Sequence, residues 1–147
     1  FRFTKSYIKG FFEPVPQLPD IIIIKECSAY FPGDLKQYKE LMEKWVKRIK
    51  DAKIEVWLAT AVPVTETRAG KQAGKIEGIR AFNDWLREYA KNENITLIDL
   101  EAAMRKDAEA RFLKDEFTSG DGTHLNKIAY DILDRLLLDT CQVKLKI

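Results

Sequence analysis

Histidine occurs once in these 147 residues and cysteine only twice. One imidazole and no clustered thiols leave only carboxylates as metal donors, and no ligand spacing stands out, so neither a metal nor any other cofactor is expected. Two cysteines also build no disulfide framework. Cys27 follows an apolar run and reads as a small buried hydrophobe, while Cys141 lies in the tail. No apolar stretch approaches the roughly 18 residues that span a bilayer, so no transmembrane segment is expected. Neither sign of charge prevails: 25 basic and 23 acidic residues give a formal charge of +2. Those charges are interspersed, which removes the electrostatic reason to expect nucleic acid as a partner. No secretory leader is visible, the opening "FRFTKSY" has no methionine, and no compartment is assigned.

What is present is ordinary for a globular protein: 46% hydrophobic and 33% charged residues, in a length that suits a single domain over residues 1–147. Residues 1–13 read as a short helix stopped by "EPVPQLP". "DIIIIKEC" is a β-branched run of strand length with the pattern of a strand buried on both faces. Asp34 caps a long helix carrying Leu35, Tyr38, Leu41, Met42, Trp45, Val46 and Ile49 at helical spacing. A second strand, "IEVWLATAV", ends at Pro63, and "TETRAGKQAGK" reads as a surface loop. A helix then runs through Ile76, Ile79, Phe82, Trp85, Leu86 and Tyr89, followed by the strand "ITLIDL" and a helix over residues 101–113. The last helix starts at Asn126, and "VKLKI" reads as an edge strand or a frayed tail. Strand–helix alternation of this kind builds a parallel sheet covered by helices. Its functional residues belong beyond the carboxyl ends of the strands: after Ile24, around Pro63, and in the loop before the final helix.

That last loop, "TSGDGTHLN", holds the single histidine, His124, three residues after Asp121. A carboxylate accepting a hydrogen bond from one ring nitrogen fixes the tautomer of an imidazole and stabilises its protonated form, leaving the other nitrogen to act as a base. Gly120 and Gly122 ease the turn that would bring the two side chains together. The same spacing also suits a plain capped loop, with Asp121 bound to turn amides. Glu26, just past the first strand, is a cleft candidate or a partner for a neighbouring lysine. Ser28, Ser119 and Cys27 lack the strand-to-helix elbow and activating surroundings of a nucleophile.

"PDIIII", "AVPV", "LIDL" and "DGTHLNKIAYDIL" together resemble the later blocks of the SGNH, or GDSL-type, esterases and lipases, over Leu18 to Leu138. The resemblance implies an α/β, three-layer α/β/α, flavodoxin-like parallel sheet and hydrolysis of a small ester or acylated substrate. It makes His124 the base and Asp121 its orienting acid. The family's nucleophilic serine lies in a G-D-S segment after a first strand, and no G-D-S precedes "PDIIII" here. The resemblance therefore implies that the N-terminal strand is missing, that the chain is the C-terminal part of a longer domain, and that the nucleophile lies outside it. A sheet without that strand would have unpaired edges, open to a missing N-terminal segment or another chain. Where the family has G-x-N-D, with an asparagine donating to the oxyanion, this chain has Cys27, Ser28, Ala29 and Tyr30. Alanine has no side-chain donor, and losing one such donor costs about a hundredfold in rate. Glu26, Ser28, Ala29, Tyr30 and Pro63 are thus possible cleft residues, and the alternative to a hydrolase is a binding module without catalysis.

Overall fold

The computed structural model describes residues 18–145, and the expected helix over residues 1–13 lies outside them. Three strands form one parallel sheet in the order β1 (Ile21–Lys25), β2 (Glu55–Ala59), β3 (Thr96–Ile98). Ile21 stands opposite Glu55 and Trp57 opposite Thr96. The side-chain alternation of β2 splits the core in two. Val56 and Leu58 face α1 (Leu35–Asp51) and α3 (Lys75–Asn92), against Met42, Val46, Ile79, Phe82 and Leu86. Trp57 and Ala59 face the other way, toward α4 (Leu100–Met104) and α5 (Lys127–Leu145), against Leu100, Met104 and Ala129. The result is the three-layer α/β/α arrangement.

Local chemistry sets the helix starts. The Asp34 carboxylate accepts from the Gln37 amide at 3.1 Å, closing the first turn of α1. Asn126 does the same for α5 by accepting from the Ala129 amide at 3.2 Å. A four-residue helix, α2 (Glu66–Ala69), is capped by the Thr65 hydroxyl, which accepts from the Arg68 amide.

Five expectations change. β1 is not buried on both faces: among the described residues it bonds only to β2, and Ile23 stays 44% exposed. Cys27 is exposed rather than buried, because it sits past the strand end. The segment "TETRAGKQAGK" is not all surface loop, since it contains α2 and ends at Lys75, which is 2% exposed. The helix over 101–113 stops at Met104; Arg105 turns extended and bridges to Leu113, while Asp107 accepts from the Glu109 and Ala110 amides. Finally, Val143, Lys144 and Leu145 continue α5 instead of forming a strand.

The outer flanks of α5 carry exposed Ile128, Tyr130, Leu138 and Val143. Among the described residues no helix is long and apolar enough to cross a membrane, and no group of three or more histidine, cysteine or acidic side chains is placed to hold a metal.

Candidate active site

The segment leaving β2 is the floor of the site. Thr60, Ala61, Val62, Pro63, Val64 and Thr65 are all buried although they belong to no strand. Backbone groups buried outside a sheet need other partners, and Asn83 of α3 supplies them. Its side chain accepts from the Ala61 amide and donates to the Ala61 carbonyl, both at 2.8 Å. Asn83 also donates to Glu101 at 3.0 Å. At Glu101, 0% exposed, Arg87 donates at 2.7 Å and Arg111 at 2.6 Å. Asp84 completes the network by accepting from both arginines. The hydrogen bond from Arg111 holds its carboxyl below the usual range. This network pins residues 105–114 against the sheet edge, where the Leu113 amide donates to the Val64 carbonyl at 3.0 Å.

The histidine loop hangs on the same floor. The Thr65 amide donates to the Gly122 carbonyl at 3.0 Å, and the base of the loop is closed by the Ser119 amide donating to the His124 carbonyl at 2.9 Å. Asn126 donates to the Glu116 and Thr118 carbonyls from below. Within this frame, Asp121 serves both purposes that its spacing allowed. One carboxylate oxygen accepts from the Thr123 and His124 amides at 2.9 and 2.8 Å, and the other meets Nδ1 of His124. The imidazole contact, followed by the two amides, holds the Asp121 carboxyl well below the ordinary carboxylate range. The His124 side chain is 80% exposed. With Nδ1 engaged by an acceptor, the neutral ring carries its proton there, leaving Nε2 as the free lone pair.

Gly122 makes this geometry possible. Its φ is +76°, and a Cβ there would fall 2.5 Å from the Thr65 hydroxyl and 2.8 Å from Cβ of Arg68. Gly122→Ala therefore has to push the loop off its floor. We expect turnover dependent on His124 to fall by about a hundredfold, the usual effect of displacing a reacting group by roughly an ångström. Gly120 also has positive φ but has nothing within 4 Å. Gly120→Ala then carries the backbone strain of its φ of +102° without the clash, and turnover of p-nitrophenyl acetate by the two variants separates the one effect from the other.

The segment after β1, where the sequence places further cleft candidates, is held by the start of α3. Lys75 donates from Nζ to the carbonyls of Ser28 and Phe31 at 3.0 Å and of Ala29 at 3.4 Å, tying down the 3-10 turn Ser28–Tyr30. Burial first, and the charge of Arg68 second, push the Lys75 ammonium down. Ser28 is buried, whereas Ala29 and Tyr30 are exposed. Glu26 is partly buried and has no ion pair among the described residues; burial pushes its carboxyl up. Pro63 is buried in the floor. Sequence reasoning did not single out Thr65, Arg68, Lys75 or Asn83. The one local signal was Thr65 ahead of Glu66, an N-cap residue followed by an acid.

The sequence model of the GDSL-like Lipase/Acylhydrolase family matches residues 8–132. Among solved structures, the chain is similar to a GDSL-like lipase of Bacteroides thetaiotaomicron, with a TM-score of 0.72 and 21% identity over 84% of this chain and 62% of that one. It is similar also to a Bacteroides fragilis protein assigned as an acylhydrolase, with a TM-score of 0.76 and 22% identity over 97% of this chain and 71% of that one. The OSK domain of Drosophila Oskar shares the fold as well, with a TM-score of 0.66 and 17% identity over 84% of this chain and 64% of that one. This chain thus spans less than two thirds of the Bacteroides thetaiotaomicron lipase. No curated protein sequence matches it.

Proposed function

The chain belongs to the GDSL-like lipase/acylhydrolase family, and from that premise we propose that residues 1–147 carry the base and the orienting acid of a serine acyl-ester hydrolase. The observation that carries this reading is the contact between Nδ1 of His124 and the Asp121 carboxylate, on a ring whose other face is open. His124 takes the proton from a serine hydroxyl as it attacks the ester carbonyl, then gives it to the leaving alcohol. Water, activated by the same ring, releases the acyl group. Asp121 keeps the proton on Nδ1 and stabilises the imidazolium. The serine belongs to sequence outside residues 1–147, and no cofactor enters the scheme.

Ala29 favours a second reading. It stands where the family places a side-chain donor to the oxyanion and cannot donate from its side chain. A binding module that kept the fold and the histidine loop would tolerate that change; a hydrolase needs a substitute donor.

Turnover of p-nitrophenyl acetate by the purified full-length protein, with its intact mass determined, separates the two. The hydrolase reading expects His124→Ala to lose about a thousandfold or more, as removal of a triad base does. Equal turnover in wild type and mutant would leave the binding module.

A further inference from the structure

Among the described residues only three buried side-chain polar atoms lack a hydrogen-bond partner, and two of them flank Gly122. One is Nε of Arg68, whose Cβ lies against the Gly122 backbone; the other is Oγ1 of Thr123, the next residue along. Buried donors left without partners are costly, so a pair of them next to one glycine calls for an explanation. Arg68 also has no carboxylate within ion-pair distance among the described residues, although it is half-buried. Arg87 and Arg111 are each paired with two or more acids, whereas Arg80, which has no acid partner among the described residues, donates to the Ala110 carbonyl and lies over the Phe112 ring.

The surroundings add positive charge without offering Arg68 a partner. Lys75 is close enough for Arg68 to lower its pKa, yet the ammonium already serves three carbonyls. The nearby acid, Asp121, is committed to His124 and two amides. The position of Arg68 is itself fixed, because its amide donates to the Thr65 hydroxyl at 3.3 Å and its stem rests on Gly122. The Arg68 guanidinium, unpaired among the described residues and near the Lys75 ammonium, thus extends from a stem held against Gly122, two residues before His124. Its chemical complement is an anion with several acceptor oxygens.

We infer that Arg68 binds an anionic group of the substrate, a carboxylate or phosphate, beside the ester that His124 serves. This rests on the hydrolase reading for what the anion is attached to, but the binding itself does not. The fork of the guanidinium engages two oxygens of the anion, and Lys75 contributes charge at longer range. Neutral esters of the same size would lack this anchor.

The test is a titration of the full-length protein, followed by NMR of the Arg68 Nε–H, with succinate and with inorganic phosphate, and with neutral succinamide as control. Saturable shifts with at least one anion and none with succinamide are expected. Arg68→Met should weaken that binding by about tenfold or more, the scale of one charge-assisted contact. Arg68→Lys should recover part of it. Lys36→Met, the same charge loss at a remote exposed site, should change it little. The inference is overturned if no anion saturates the site at millimolar concentration, or if Arg68→Met binds as well as wild type. Because binding requires no turnover, a protein that binds but does not hydrolyse defeats only the hydrolase reading. One that hydrolyses an anionic ester, such as mono-p-nitrophenyl succinate, with no dependence on Arg68 defeats only this one.

Discussion

Asp121→Asn is expected to reduce kcat by about a thousandfold or more while leaving KM within a few-fold, because the change alters the imidazole tautomer and not the loop's size. The carboxylate uses both oxygens as acceptors. One takes the Thr123 and His124 amides and the other takes Nδ1 of the ring. An asparagine has a single acceptor oxygen. If that oxygen stays with the two amides, an NH2 group faces Nδ1, which must then be the lone-pair nitrogen, and the proton moves to Nε2. A ring protonated at Nε2 cannot act as base toward a serine hydroxyl. If the amide is turned round, the ring keeps its tautomer but two backbone amides lose their acceptor and face a donor. The first arrangement removes the base from its working state, and the second loosens the turn that presents it. Kinetics with p-nitrophenyl acetate decide the matter. A loss of less than tenfold would mean that Asp121 serves the turn and not the ring.

The second large effect is on stability. Glu101→Ala should destabilise the fold by about 3 kcal/mol, within the range for breaking a buried ion pair by removing one partner. For a domain of this size that corresponds to a fall in Tm of about 10 °C. Glu101 is fully buried and accepts from Arg87, Arg111 and Asn83. Removing it leaves the Arg111 Nε and one N–H of the Asn83 amide without their acceptors in a buried site. Arg87 keeps Asp99 and Asp84, and Arg111 keeps Asp84, so the loss stays below that of an entirely orphaned charge. Urea unfolding of wild type and variant, compared at equal slope, provides the measurement. A change under 1 kcal/mol would show that the remaining acids satisfy both arginines.

Much of the fold was legible because it follows from local rules. Asp34 and the apolar positions after it define α1 without reference to the rest of the chain, and the alternation of strands with helices fixes a parallel sheet. The errors arise where long-range pairing overrides local preference. "EAAMRKDAEARF" has good helix formers, but Glu101 is drawn inward to meet Arg87, and Arg111, at φ +55°, folds back onto the same carboxylate. That closure ends the helix at Met104, and no periodicity within the segment encodes it. "IIII" carries no polar residue to mark a face, so its composition could not distinguish a central strand from one with an exposed edge. In the site, Asp121 and His124 were legible because both members lie within four residues of each other. Arg68 was hidden for the opposite reason: it is more than fifty residues from the loop it touches, and only the burial of Thr65 against Gly122 brings them together.

The Val64 carbonyl and the Thr65 amide are two ends of the same peptide group. One end accepts from Leu113 and the other donates to Gly122. A peptide group is a rigid plane, so the two ends cannot turn separately. The loop held by the Glu101 network and the loop holding His124 are therefore fastened by a single rotor. Turning that plane breaks both bonds together, and seating it makes both. The ordering of His124 and that of residues 105–114 are in this way coupled through one ψ–φ pair, beside the bonds that hold each loop separately.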